Sequence, residues 1–359
     1  MARRYITRMS ASAHHPRQFA SDNCAGIAPE AMTALVEANR DHAPSYGDDV
    51  WTDRACNLIR ELFETDCEVF FTFTGTTANA LSLAAICRSY HAVLCHERAH
   101  VEDHECAAPE FFSGGTKLVL LPGHKGKLTP DLIEAAALRN RGDFHASKVH
   151  AVTVTQPTEA GILYQPAEVV AIGEICRRLG LHLHMDGARF ANAVASLGVA
   201  PADITWRAGV DVLSFGLTKN GVAVGDTVVS FNKDLAADFE YRLKQGGQLA
   251  SKMRFLAAQY AGLLTDGAWL RHAENANAMA KRLAAGLGQL EGVSLTHPVE
   301  ANFVFVTMPQ SIIDRLRAEG WQFYAGFQPQ ECRLVCAWDT QESDVDAFVT
   351  DARELVEPA

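Results

Sequence analysis

The chain has no apolar run approaching the roughly 20 residues that cross a bilayer, so a membrane-spanning helix is excluded. It has no CxxC pair. Its nine cysteines (Cys24, Cys56, Cys67, Cys87, Cys95, Cys106, Cys176, Cys332 and Cys336) are scattered and odd in number. That points away from a disulfide framework or a zinc ribbon, and toward mostly buried thiols in a reducing, cytoplasmic setting with no resident metal. It has neither GxGxxG nor GxxxxGK[ST], which weakens any nucleotide-dependent reading. Positive charge is in deficit: 32 Lys and Arg stand against 43 Asp and Glu, for a formal net charge of −11. An acidic surface repels phosphate backbones, so nucleic acid is not an expected partner. Repeats and low-complexity tracts are absent. The first fifteen residues hold several arginines but no secretory apolar stretch, and read as a frayed extension or a weak organelle-targeting segment.

What is present is enough apolar material for a large core. Apolar residues make up 48% of the 359 and charged residues 21%, which suits one large domain plus a smaller one. Short apolar runs predict strands over 68–73, 92–95, 117–121, 149–155, 181–185, 210–215 and 227–231. Helices are expected between them at 31–40, 53–64, 78–89, 129–139 and 166–179, the last stopped by Gly180. This alternation argues for an α/β fold with a mostly parallel sheet covered on both faces. Beyond about residue 266 the character changes. A long helix over 269–287 precedes short strands at 293–295, 303–306 and 333–337 and helices at 312–319 and 344–356. The expected division is a flexible extension over 1–17, a large domain with an N-terminal arm over 18–265, and a smaller α+β domain over 266–359.

In an open α/β sheet, ligands gather at the carboxyl ends of the strands. Four features fall there. Thr74-Gly75-Thr76-Thr77 separates a strand from a helix; it reads either as a threonine-capped turn or as a phosphate site, where glycine admits close approach and the helix start offers unpaired N–H groups. Asp186, in Asp186-Gly187-Ala188-Arg189, reads either as a helix cap or as the partner of a cationic ring nitrogen. His100 follows a short strand and is either a satisfied polar residue or a ring that stacks on a cofactor. Lys219 follows an apolar strand among glycines and small polar residues, where an amine can form a Schiff base with an aldehyde. Singly each is weak. In this order they supply the phosphate anchor, ring partner, nitrogen carboxylate and amine that pyridoxal 5'-phosphate requires.

With these residues in place, the sequence resembles the low-specificity L-threonine aldolase family, phenylserine aldolase-like members included, among the fold-type-I (aspartate-aminotransferase-like) pyridoxal-phosphate enzymes. The matching stretches are Phe19-Ala20-Ser21-Asp22-Asn23, Tyr46-Gly47-Asp48-Asp49, Gly75-Thr76-Thr77-Ala78-Asn79, Ala99-His100, His184-Met185-Asp186-Gly187-Ala188-Arg189, Thr218-Lys219-Asn220-Gly221 and Arg333-Leu334-Val335. They cover nearly all of the chain after its first fifteen or so residues. The resemblance implies that Lys219 carries the cofactor, Asp186 pairs with its ring nitrogen, Gly75 and Thr76 bind its phosphate, and His100 stacks on its ring. It implies that Arg189 lies near the phenolic oxygen or the substrate carboxylate, and that Ser21 and Arg333 hold that carboxylate. It further implies retro-aldol cleavage of a β-hydroxy-L-amino acid (L-threonine, L-allo-threonine or 3-phenylserine) to glycine and an aldehyde, in a dimer or tetramer with sites at the subunit interface. Lys252 or Arg254 would then reach a neighbouring subunit's phosphate.

One stretch departs from the pattern. Many members carry a second histidine in an Asn-Thr-His segment, whereas here the sequence is Pro157-Thr158-Glu159. The catalytic base is then either Glu159 or His100 acting through water, with Glu159 otherwise a solvated loop carboxylate. Trp51, Phe111 and Phe112 read either as core packing or as the lining of a pocket for a larger aldehyde. Another fold-type-I lyase, a serine hydroxymethyltransferase-like enzyme, and a non-catalytic protein on the same fold are the alternatives.

Overall fold

The structure, a computed structural model, describes residues 17–326 and 328–356. The extension expected over 1–17 therefore lies outside the described residues except for Arg17.

Seven strands form the main sheet: β1 (Glu68–Thr72), β2 (His91–His96), β3 (Lys117–Leu121), β4 (Lys148–Thr155), β5 (His182–Gly187), β6 (Val212–Gly216) and β7 (Asp226–Ser230). Their order across the sheet is β1-β7-β6-β5-β4-β2-β3. The pairs from β6 through β3 are parallel, while β7 lies antiparallel between β6 and β1. The sheet is thus mixed, and the mostly parallel arrangement expected from the alternation of strands and helices holds. The reversal has a local cause. Parallel neighbours need a long crossover, whereas the chain from β6 to β7 spans only 217–225, enough for a turn back. That turn carries Lys219. Because β1, β4, β5 and β6 share one direction, their carboxyl ends and the start of β7 meet at one edge.

Helices cover the sheet where the sequence supplies a cap and an apolar face. We use α1 (Pro29–Ala38), α2 (Val50–Phe63), α3 (Gly75–Ile86), α4 (Pro166–Leu179), α5 (Arg254–Leu264) and α6 (Ala268–Leu287). Asp49 caps α2 by accepting from the Trp51 and Thr52 amides, each at 3.0 Å. Gly180 ends α4 in a left-handed conformation at φ 70°, as its position in the sequence anticipates. The helices Phe190–Leu197 and α5, which were not expected from the sequence, are both buried on several sides. Phe63, Phe190, Phe215 and Tyr260 pack in the core beneath the sheet, with Phe63 and Phe215 edge to face at 5.7 Å.

A second, antiparallel sheet has the order β10-β11-β9-β8, from β8 (Ser294–Leu295), β9 (Phe303–Thr307), β10 (Tyr324–Ala325) and β11 (Glu331–Val335). Helix α6 joins the two cores. Trp269 and Ala273 pack under the main sheet, and Met279, Ala280, Leu283 and Leu287 pack under the second. The N-terminal arm also reaches the second core, where Phe19 meets Trp321 at 5.7 Å and Phe348 at 5.4 Å. Six of the nine thiols are buried, and Cys24 and Cys106 are exposed. Among the described residues no helix is long and apolar enough to cross a membrane.

Candidate functional site

At the edge where the strand ends meet, a cavity is lined by Gly75, Thr76, Asn79, His100, Asp186 and Lys219, with Asn23, Ser214 and Asp226 among its other walls. Five of the expected site residues therefore share one space. Thr74 leaves β1 in an extended conformation and caps α3, its Oγ1 accepting from the Thr77 amide at 3.2 Å. The amides of Gly75 and Thr76, at the first turn of α3, have no carbonyl one turn back to bond within the helix. The turn is a threonine-capped helix start, and Gly75 and Thr76 line the cavity. A Cβ on Gly75 would stand 3.0 Å from Asp226 Oδ2, so a side chain there would press on the site.

Asp186 is 3% exposed near the end of β5. Its Oδ1 accepts from the Ala188 amide and its Oδ2 from Asn79 Nδ2, each at 3.0 Å. The helix after it begins at Phe190 with Arg189 in the cap position, so Asp186 is not that helix's cap. Behind it, His184 bridges Thr153 Oγ1 at 2.8 Å and Ser214 Oγ at 3.0 Å, and burial pushes its pKa down to about 4.

Lys219 sits on a single helical turn, Thr218–Asn220, held at both flanks. Thr218 Oγ1 donates to the Gly225 carbonyl at 3.0 Å, and Asn220 Nδ2 donates to the Trp269 carbonyl at 2.7 Å. Gly221 follows at φ 109°, a conformation open to glycine, where a Cβ would meet the Ala28 side chain at 2.6 Å. Asp226 faces this lysine from the start of β7. Burial raises the Asp226 carboxyl, and Lys219 offsets part of that rise.

His100 is half-buried, and its Nδ1 lies 2.8 Å from Oε1 of Glu105, whose side chain is fully buried. Burial works against a charge on His100, but Glu105, Asp186 and Glu159 outweigh it and raise its pKa. Ligand atoms of His100, Glu105 and Asp186 lie within 4.8 Å of one another, close enough to hold a cation. The Asn79 amide instead bridges the two carboxylates, donating to Glu105 Oε1 at 2.8 Å and to Asp186 Oδ2 at 3.0 Å.

The other expected residues are not part of the cavity lining. Arg189 makes a bidentate pair with Asp22, Nε to Oδ2 at 2.6 Å and Nη2 to Oδ1 at 2.8 Å, and its guanidinium lies 4.3 Å from the centre of the Phe303 ring. Ser21 Oγ accepts from the Asn23 amide at 3.1 Å. Arg333, on β11, lies over the Tyr324 ring at 5.1 Å. Burial and then the charge of Arg189 lower the Arg333 pKa, opposed by Glu159 and Asp22, so these four charges share one neighbourhood. Glu159 is half-buried in the turn after β4. Lys252 is exposed, and the half-buried Arg254 lies over Phe255 at 5.0 Å. Trp51 packs against the main core, Phe112 packs beneath α3, and Phe111 is 79% exposed.

Sequence reasoning did not single out Asn79, Glu105, Asp22 or Asp226. For Asn79 and Glu105 a local signal exists: Asn79 lies one turn beyond Gly75 on α3, and Glu105 lies one short helix beyond His100.

The family described as beta-eliminating lyase matches residues 18–310. A low specificity L-threonine aldolase of Pseudomonas aeruginosa is 57% identical over 339 residues, covering 94% of this chain and 98% of that protein. Another from a Pseudomonas species is 54% identical over 95% and 98% of the two chains. The solved threonine aldolase of Leishmania major is 30% identical with a TM-score of 0.90, covering 95% of this chain and all of that one. The chain belongs to the beta-eliminating lyase family and, within it, to the low-specificity L-threonine aldolases.

Proposed function

We propose that the cavity at the strand ends holds pyridoxal 5'-phosphate, and that the protein cleaves a β-hydroxy-L-amino acid to glycine and an aldehyde. L-Threonine, L-allo-threonine and 3-phenylserine are the proposed substrates. The observation that carries this reading is the convergence of Lys219, Asp186, His100 and the start of α3 on one cavity. The donor set fits the group. Two amides at a helix start suit a phosphate dianion, a buried carboxylate suits a protonated ring nitrogen, an amine suits an aldehyde, and a half-buried imidazole suits a ring face.

Bound there, the cofactor supplies an electron sink for the pair left on Cα when the Cα–Cβ bond breaks. Asp186, held by Asn79 and the Ala188 amide, would pair with the ring nitrogen and favour its protonated form. Lys219 anchors the aldehyde carbon. His100 or Glu159 takes the proton from the β-hydroxyl oxygen, and that oxygen becomes the aldehyde carbonyl. Ser21 and Arg333 would orient the substrate carboxylate and so select which bond at Cα the cofactor's electron sink serves. Arg189, fixed by Asp22, sets the charge beside them. We place the cofactor domain at 18–265 and the small domain at 266–359, in a dimer or tetramer whose Lys252 or Arg254 reaches a neighbouring phosphate.

The test is the visible spectrum of the purified protein, followed by glycine and aldehyde release from each of the three substrates. The expected outcome is an absorbance band and release from at least one. Lys219→Ala is expected to lose both the band and turnover. Wild-type turnover in Lys219→Ala would sink the proposal, and a folate requirement for cleavage would favour the hydroxymethyltransferase-like alternative.

A further inference from the structure

We infer that Glu105 is a positioning residue for this site: it fixes which nitrogen of His100 faces the cavity and, through Asn79, ties the protonation of His100 to Asp186. The inference rests on the function proposed above and deepens it, because it selects His100 over Glu159 as the group that takes the β-hydroxyl proton.

The argument starts from hydrogen counting. A side-chain amide nitrogen carries two hydrogens. Asn79 Nδ2 has two carboxylate partners, Glu105 Oε1 at 2.8 Å and Asp186 Oδ2 at 3.0 Å, which accounts for both. Glu105 Oε1 is thus an acceptor already, and it faces His100 Nδ1 at 2.8 Å. With Glu105 ionised, its oxygens carry no hydrogen, so Nδ1 supplies the one in that contact and a neutral His100 keeps its lone pair on Nε2. His100 and Asn79 line the cavity, whereas Glu105 is 3% exposed and lies behind them. Glu105 does not need to touch a substrate to act; it sets the tautomer of the residue that does.

The charges reinforce the geometry. Two carboxylates sharing one donor repel each other, and a proton on His100 relieves the repulsion. Burial, and then Asp186, push the Glu105 carboxyl up, while Glu105, Asp186 and Glu159 outweigh burial at His100. The groups facing the imidazole are these three carboxylates and the ring of His104, 5.6 Å away between ring centres. In the reaction the β-hydroxyl proton moves to Nε2 of His100 and the O–H pair forms the aldehyde C=O. The Cα–Cβ pair passes to Cα, and a proton delivered to Cα completes glycine. The imidazolium formed in the first step is stabilised by Glu105, which itself gains no proton. The same carboxylate–imidazole logic orients the bases of many hydrolytic sites.

The experiment is an NMR titration of His100 in the cofactor-free protein, its signal assigned with His100→Asn, alongside the pH dependence of kcat in the loaded enzyme. Glu105→Gln removes the negative charge and keeps the size. It is expected to lower the His100 pKa by about one unit or more. It is also expected to lower kcat roughly tenfold to a hundredfold with little change in KM. Asn79→Ala removes the shared donor, leaves both carboxylates more basic, and is expected to move the His100 pKa upward. Glu105→Asp is expected to restore part of the wild-type pKa. Opposite shifts from the two substitutions support a tie, because a purely structural role would not give opposite signs. An unchanged His100 pKa in a folded Glu105→Gln protein overturns the inference. Should Glu105→Gln not fold, a His100 pKa that falls or stays in Asn79→Ala overturns it equally. If the pKa shifts occur but no β-hydroxy amino acid is cleaved, the proposed function fails while the His100–Glu105 tie stands.

Discussion

Asp22 is 2% exposed and carries the densest polar load of any single residue beside the cavity. It accepts both arms of Arg189 and, at Oδ2, the side chain of Asn302 at 2.9 Å. Asn302 also donates to the Cys336 carbonyl at 2.8 Å, so one carboxylate links the N-terminal arm, the segment after β5 and the second sheet. Burial by itself would raise the Asp22 carboxyl, but Arg189, Lys219 and Asn302 together outweigh burial and hold it below its ordinary value. Asp22→Asn leaves the guanidinium of Arg189 buried without its counter-charge. The expected loss of stability is about 3–5 kcal/mol, read as a lower urea midpoint. An unchanged midpoint would mean that Arg189 finds another partner. Asp22 is adjacent to Ser21, which the sequence did mark out. Its partner lies 167 positions away, and no local pattern announces that pairing.

At the scale of elements, glycine decides how closely α4 can approach the segment before β6. A Cβ on Gly173 would stand 1.8 Å from the Ala208 carbonyl oxygen, and backbone on both sides leaves nothing flexible to give way. Gly173→Ala is expected to destabilise the fold by about 1–3 kcal/mol or more, measured as a drop in thermal midpoint. Gly26→Ala, where nothing lies within 4 Å, serves as the control and should move it little. Most elements were legible from the sequence because caps and period announce them. The strand expected at 68–73 is β1, the one at 117–121 is β3, and the helix expected at 166–179 is α4 with its Gly180 stop. The helices Phe190–Leu197 and α5 were not legible. Helix α5 packs against both α1 and α2 and is apolar around most of its circumference, so no face stands out for periodicity to reveal, while Phe190–Leu197 is only 8 residues, too short for the period to show.

For the whole molecule, histidines held neutral make the fold acid-sensitive. His91, His150 and His182 lie side by side along the amino-end side of β2, β4 and β5, with His91 and His150 ring centres 3.9 Å apart and tilted, and His150 and His182 5.1 Å apart and edge to face. Burial, then the neighbouring histidines, push the His150 pKa down to about 4, and burial does the same to His184. Since the folded values lie below the ordinary 6.5, the unfolded chain takes up these protons first. The stability they represent is fully present above pH 6.5 and is lost as pH falls toward about 4. Urea midpoints should fall across that window, and His150→Gln should shrink the fall. A midpoint constant through the window would contradict the neutral, buried state of His150 and His184.

The sequence by itself determined the α/β class and the family, and it pointed to the glycine turn at Gly75, the carboxylate of Asp186, the imidazole of His100 and the amine of Lys219, each at the end of a recognisable strand, as the proposed site. Only the tertiary structure decided which of them share one cavity and which residues hold them there. Asn79 reaches Glu105 across 26 positions and Asp186 across 107. A side chain's reactive type and its local element depend on neighbours a few residues away, which a sequence displays. A hydrogen-bond partner depends on which strands the sheet sets side by side, and that is settled only when the whole core closes.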